Sequence, residues 1–453
     1  DDRSIQNVPA SAGRSETRVA TIDNKREAEK KAKPVPHSLK LGLNTTASES
    51  VVRRPDSLAS KQLNLQPSQN SGGGGLGGIM NMYSPPSHSQ GYRRKDQIRP
   101  KLPSRDRFTR FESNEVKSVV QNPVSTFSID VDTTSYSFVR RQILAGSLPT
   151  KNQVRVEELI NYFPYDYERP DNLDAPFKAN LALYPTPWNE HTKLLHIGLQ
   201  GYDIDVVEKP RSNLVFLIDV SGSMSSPDKL PLLVNAFRLL VDQLRPEDKV
   251  SIVTYAGKAG TVLEPTDARD KAKILSALDS LRSGGSTAGA QGIQQAYNLA
   301  KSVYIKDGVN RVILATDGDF NVGISDVNSL KTLIKQQRKS GIYLSVLGFG
   351  QGNYNDALMQ VLAQNGNGKA SYIDNLREAQ KVLVDEASST LFPIANDVKI
   401  QIEFNPQLVS EYRLIGYETR HLKRQDFNND KVDAGDIGSG HTVTAIYEIV
   451  PKG

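Results

Sequence analysis

The chain has 453 residues, room for two or three domains, and its 38% hydrophobic content is low for a wholly globular chain. Lys and Arg number 56 against 51 Asp and Glu, and a net charge of +5 over this length gives no argument for a nucleic-acid partner. With no cysteine, disulfides, Cys-ligated zinc, iron–sulfur clusters and a thiol nucleophile are all excluded.

No apolar run approaches the roughly 18–20 residues that span a bilayer. The chain opens Asp1-Asp2-Arg3 rather than on Met, so a processed, trimmed or fragmentary N-terminus is expected and the lack of an export signal carries little weight. Residues 1–112 read as a disordered linker, rich in Ser, Asn, Gln, Lys and Arg and containing Gly72-Gly73-Gly74-Gly75-Leu76-Gly77-Gly78. Their sparse apolar residues do not offset an ordering cost of roughly 1–2 kcal/mol per residue. The basic stretch from Arg93 to Arg110 reads as solvated linker, with contact to an anionic envelope surface as the sharper alternative.

Order is expected to begin near Asn122, within a division that starts at residue 113. Thr126 to Asp130 alternates like a strand, Ser135–Ala145 and Val156–Phe163 read as helices stopped by Gly146 and Pro164, and 177–187 with 193–203 read as paired strands. From Asn213 the pattern changes. Leu214–Ile218, Val250–Thr254, Val312–Ala315 and Ile342–Leu347 are continuous apolar runs, as in parallel strands buried on both faces. Amphipathic segments near 229–244, 268–282, 289–304 and 326–340 lie between them, which predicts an α/β domain with a doubly wound parallel sheet. After Pro393 the segments Val398–Phe404, Tyr412–Tyr417 and Val443–Ile449 read as antiparallel strands. Neither flanking β region has enough strands to bury a face alone, so the two are expected to pack together around the inserted α/β domain. The expected divisions are 1–112, 113–212, 213–390 and 391–453.

Three loops carry the chemistry. The first strand runs into Asp219-Val220-Ser221-Gly222-Ser223; a later loop reads Gly284-Gly285-Ser286-Thr287-Ala288-Gly289; Thr316-Asp317-Gly318-Asp319 follows a buried strand. In a doubly wound sheet all three fall at the carboxyl ends of strands, where such folds bind ligands. Two Ser hydroxyls, one Thr hydroxyl and two carboxylates are hard oxygen donors, too few to complete an octahedron without water. That suits Mg²⁺ or Mn²⁺, and neutral hydroxyls leave the ion able to attract an outside carboxylate.

D-x-S-x-S, a Thr in a Gly-rich loop and T-D-G at a strand end together resemble the metal-ion-dependent adhesion site (MIDAS) of von Willebrand factor type A (VWA) and integrin I domains. The resemblance implies a VWA domain of Rossmann-like type, with Ser221 and Ser223 as direct ligands and Thr287 as a ligand, direct or through water. It gives Asp219 and Asp317 the coordinated waters, with Ser286 as the fallback for Thr287. Segments 122–132, 154–164 and 411–418 further resemble the flanks of bacterial YfbK-like VWA proteins. That family's C-terminal region is longer than the one here, so truncation at Gly453 is expected. The same resemblance implies Mg²⁺-dependent binding of a protein partner that supplies an acidic residue, in an exported, lipid-anchored protein of the bacterial cell envelope, with no enzymatic activity.

Two other readings stand beside it. Asp130-Val131-Asp132-Thr133-Thr134 resembles the opening motif of haloacid-dehalogenase phosphatases, with a nucleophilic first Asp and an acid/base second. Its bland counterpart is a strand end whose Asp and Thr cap the helix near Ser135. The third reading is an envelope scaffold whose metal serves stability alone. His196 reads as structural, Trp188 as a packed loop anchor and Asp319 as a solvated loop acid.

Overall fold

The computed structural model describes the backbone of residues 36–42 and residues 105–129, 132–205, 209–285, 289–318, 327–429, 432 and 434–452. In chain order, strand β1 (Pro36–Gly42) precedes β2 (Lys117–Ser118), β3 (Val124–Ser128), helices α1 (Thr134–Leu144) and α2 (Val156–Ile160), and strands β4 (Phe177–Pro185) and β5 (Lys193–Gly201). The α/β region comprises β6 (Ser212–Asp219), α3 (Leu230–Gln243), β7 (Lys249–Tyr255), β8 (Ala259–Asp267), α4 (Lys271–Asp279), α5 (Gly289–Ser302), β9 (Val309–Thr316), α6 (Val327–Lys339), β10 (Tyr343–Phe349), α7 (Asp356–Asn365), β11 (Ala370–Ile373), α8 (Leu376–Gln380) and α9 (Ala387–Leu391). Four strands follow: β12 (Pro393–Glu403), β13 (Val409–Ile415), β14 (Gly435–Gly438) and β15 (Thr442–Pro451).

The α/β sheet has the order β11-β10-β9-β6-β7-β8. Every pairing is parallel except β7–β8, an antiparallel edge. Each residue of β6 and β9 is buried, as continuous apolar runs require of strands covered on both faces. Leu233, Phe237 and Leu240 of α3 pack on one face with Phe216 and Ile252. Ile293 and Tyr297 of α5, Leu330 and Ile334 of α6 and Leu362 of α7 pack on the other. β8 and β11 are elements that apolar runs do not announce. β8 is a half-exposed edge, and β11 has only four residues.

The flanking strands form a frame of two sheets. One has the order β2-β13-β15-β5-β4; in the other, β12 pairs with β1, β3 and β14. β5 lies antiparallel to β15, with Leu199 opposite Val443, so strands from either side of the α/β region share one sheet. Phe127, Ile197, Leu199, Ile400, Tyr412 and Tyr447 fill the space between the sheets.

The frame and the insert are joined by buried charge. Arg155, beside α2, grips Asp356 of α7 through Nη1–Oδ2 and Nη2–Oδ1 contacts of 2.8 and 3.1 Å and also pairs with Glu158. Buried ions are ordinarily paired and hydrogen-bonded, since an unpaired one costs several kcal/mol. Glu158 Oε2 also accepts from the Ser135 amide at 2.7 Å. Capping of α1 therefore differs from the expectation: Thr133 makes no side-chain cap, and the carboxylate comes from α2.

Part of the 1–112 stretch read as disordered is structured. β1 pairs in parallel with β12, and the Arg107 amide donates to the Tyr354 carbonyl at 2.8 Å. Phe108 packs edge-on against Phe138, 4.8 Å between centroids. One aromatic in a polar, basic stretch gives no periodic signal. The Gly-rich run lies outside the described residues. Among the described residues, no helix is long and apolar enough to cross a membrane.

Candidate metal centre

The site lies where chain connectivity diverges. From β6 the sheet extends to β7 on one side and to β9 on the other, and the loops after β6 and β9 leave the same edge. This is the switch-point position at which open α/β sheets bind ligands. Asp219 ends β6, and its Oδ1 accepts from the Ser221 amide at 2.9 Å, which tightens the turn. Ser221 and Ser223 bring their Oγ atoms to 3.0 Å of each other. The Gly284 amide donates to the Val220 carbonyl at 2.7 Å and the Gly222 amide to the Gly285 carbonyl at 3.1 Å. The start of the Gly-rich loop is thereby laid along the D-x-S-x-S loop. Thr287 and its fallback Ser286 lie two residues and one residue further on, outside the described residues, as does Asp319.

Asp219 is fully buried. Its Oδ2 accepts from Thr316 Oγ1 at 3.2 Å and Tyr255 OH at 3.3 Å. Burial pushes its pKa up to about 6 and the charge of Asp317 adds to the rise, while hydrogen bonds from Ser221 and Thr316 oppose it. Asp317 follows β9 and is equally buried. Gly318 after it has φ +96°, and a Cβ there would come within 2.5 Å of the Asn355 nitrogen, so T-D-G needs its glycine.

Four of the five proposed ligand residues, Asp219, Ser221, Ser223 and Asp317, are thus brought to one sheet edge. Sequence reasoning missed Tyr255 and Lys229. Lys229 Nζ donates to Asp317 Oδ2 at 2.7 Å, with both side chains buried. A signal for it existed: a lysine at the N-terminus of α3 opposes the helix dipole, so another partner is needed to hold it there. Its stem runs over Gly350, where a Cβ would meet Lys229 Cε at 2.3 Å.

The donor set fits a hard divalent cation. Its oxygens are two serine hydroxyls and two buried carboxylates, and Asp219 already accepts from three protein donors, leaving it suited to orient water. Among the described residues, no cluster of three or more His, Asp or Glu is placed to hold a metal.

Of the phosphatase pair, only Asp132 falls among the described residues. Asp130 lies outside the described residues, and Asp132 is buried with both oxygens engaged. Oδ1 accepts from the Ala370 amide at 2.8 Å and Oδ2 from Arg420 Nη2 at 3.1 Å. It ties the N-terminal region to β11 rather than capping α1. His196 makes a 2.9 Å contact with Tyr167 OH and is half-buried, and burial lowers its pKa. Trp188 is 61% exposed, held by its indole N–H to Glu448 Oε1 at 3.1 Å, so it is tethered but not packed.

Three family models match the chain. The von Willebrand factor type A domain matches residues 213–385, "Uncharacterized protein YfbK, C-terminal" matches 389–453, and a von Willebrand factor model matches 102–196. The YfbK protein of Escherichia coli (strain K12) is 50% identical over 357 residues, 78% of this chain and 62% of that protein. The chain is a YfbK-like VWA protein. This YfbK-like chain therefore spans less than two thirds of its E. coli relative. Among solved structures it is similar to BatB from Bacteroides thetaiotaomicron, with 25% identity, a TM-score of 0.34 and coverage of 39% of this chain and 97% of that one. It is also similar to proximal thread matrix protein 1 from the mussel byssus, in a structure with a zinc-occupied MIDAS motif. That likeness has 21% identity, a TM-score of 0.33 and coverage of 42% and 46%.

Proposed function

We propose that this protein is a divalent-cation-dependent protein-binding module whose VWA domain presents a MIDAS at the edge where β6 and β9 end. The observation that carries the reading is the convergence of Ser221 and Ser223, 3.0 Å apart, with the buried carboxylates of Asp219 and Asp317. Ser221, Ser223 and Thr287 would hold Mg²⁺ or Mn²⁺ directly, and Asp219 and Asp317 would hold its waters. The bound ion supplies a Lewis-acidic position that an aspartate or glutamate of the partner completes. Ser223 is only half-buried, whereas Ser221 and both carboxylates are buried, so among the described site residues Ser223 lies nearest the solvent. The proposed setting is the bacterial cell envelope, where an adhesion or scaffold role meets the family's expectation.

Calorimetry with Mg²⁺ on the wild type and on Asp219→Ala tests the metal. Saturable binding by the wild type and none by the variant is expected; equal, weak heats from both would remove the site. A pull-down in Mg²⁺ against chelator then tests whether the metal is adhesive. A partner retained equally in both would leave the metal a stabilising role only.

A further inference from the structure

Arg311 stands in β9 at the end opposite the metal loops, and it is only 3% exposed. An arginine so deeply buried ordinarily has a carboxylate against it. Among the described residues, Arg311 forms no ion pair. Its Nη1 donates to Ser345 Oγ at 2.7 Å, and the guanidinium lies 5.5 Å from the Tyr343 ring centroid. Its Nε is buried with no hydrogen-bond partner among the described residues. Burial, only partly offset by the charges of Tyr343 and Asp436, pulls its pKa down to about 10. The nearby Asp436 carboxylate accepts from the Asp397 amide at 3.1 Å.

The side chain borders a cavity of about 70 Å³ between the VWA domain and the frame. Gln364, Lys369, Thr390 and His441 line it with Arg311 and Asp436. A second void of about 30 Å³, also bordered by Arg311, Lys369 and Thr390, lies beside it. Lys369 adds positive charge, partly answered by Glu386 at 3.1 Å. His441 is neutral near pH 7, because burial lowers its pKa to about 4, and offers hydrogen bonds without charge.

We propose that this cavity is a binding site for a small oxyanion, a carboxylate or a phosphate, gripped by Arg311 between the VWA domain and its β frame. The guanidinium presents a planar fork of N–H donors that matches either anion. The space suits such an ion: one water needs roughly 10–15 Å³ of such volume, so the cavity holds a group of a few heavy atoms and nothing the size of a nucleotide. Arg311 is five residue steps of extended strand from Thr316, roughly 16 Å, so the proposed anion and metal sites lie at opposite ends of the sheet. The cavity walls come from both parts of the protein: Arg311 and Lys369 belong to the VWA domain, Asp436 and His441 to the frame. An anion seated there bridges the two.

The test uses the whole chain in chelator at constant ionic strength, titrated with inorganic phosphate, acetate or chloride. Calorimetry and thermal melting should show saturable binding and stabilisation by phosphate or acetate that chloride does not reproduce; which of the two saturates at lower concentration names the class. Arg311→Lys keeps the charge and loses the fork, and should weaken binding at least tenfold. Thr390→Val leaves every charge in place and should weaken it several-fold, which covers the event that the Arg311 variant does not fold. Hydrogen exchange on the wild type should show anion-dependent protection at 309–313, 389–393 and 435–438. No saturable binding, the same response to chloride, undiminished affinity in a folded Arg311→Lys or Thr390→Val, or protection confined elsewhere would each overturn the site.

Discussion

Lys229 Nζ lies 2.7 Å from Asp317 Oδ2, so an ammonium group shares the carboxylate proposed to hold a water of the metal. Two cations at one carboxylate repel, and in this buried setting that repulsion is only weakly screened. If the proposed metal binds, Lys229 would be a resident competitor that sets how tightly it is held.

Lys229→Met keeps the stem that lies over Gly350 and removes the charge. Mg²⁺ affinity measured by calorimetry should rise about tenfold or more. Without the ion the same variant leaves Asp317 short of its buried countercharge, at a cost of about 3–5 kcal/mol. Thermal melts should accordingly show a larger Mg²⁺-induced stabilisation in the variant than in the wild type. Equal affinities would show that the ammonium moves aside without cost.

Arg155 and Asp356 clamp α2 to α7 in the interior. Asp356→Ala strands the guanidinium beside Glu158 alone and should destabilise by about 3–5 kcal/mol. Urea unfolding would show a lower midpoint. A lower midpoint with an unchanged slope assigns the loss to stability, whereas a changed slope would mean that frame and insert no longer unfold together.

Glu157 supplies a pH dependence. It is buried, with Glu158 close by and Oε2 without a hydrogen-bond partner among the described residues. Burial, reinforced by the Glu158 charge, raises its pKa from 4.5 to about 7. The folded state keeps a proton that the unfolded state has lost, so stability falls as pH rises from about 4.5 to 7 and stays lowered above. At roughly 1.4 kcal/mol per pH unit this amounts to about 3 kcal/mol at most. Glu157→Gln should flatten that part of the stability–pH curve and melt higher than the wild type at pH 8. A variant less stable at pH 8 would show that the ionised carboxylate has a partner worth more than its burial costs.

Asp132 and Asp130 offer an experimental test of the phosphatase reading. Asp132→Asn weakens its contact with Arg420 and should lower stability by about 1.5–3 kcal/mol, the range for hydrogen bonds to charged groups. Turnover of a phosphate ester should stay at background in wild type and variant alike. Activity in the wild type that disappears in Asp130→Asn would restore the enzyme reading.

The site was legible where its chemistry depends on local spacing. Asp219, Ser221 and Ser223 alternate along one turn, and the apolar runs before Asp219 and Asp317 locate both at strand ends. The Lys229–Asp317 pair spans 88 positions, and no local pattern joins residues that far apart. Tyr255 ends β7 within an apolar run and reads as core until its hydroxyl is found on Asp219. The helix near Ser135 was legible from its own residues, but its cap was not, because Glu158 arrives from another helix. Edge strand β8 carries no continuous apolar run and gives the weakest strand signal in the insert.

The pairing of β5 with β15 also orders events during synthesis. Leu199 meets Val443 across roughly 240 residues, and β15 lies between β13 and β5 in its sheet. Long-range pairings of this kind form slowly, after the loops between them have closed. On the ribosome β6 waits roughly 97 residues for β9, whereas β5, already paired with β4, keeps its other edge open for roughly 240 residues until β15 arrives. The frame is therefore the part of this chain that needs protection from aggregation until translation has passed residue 451.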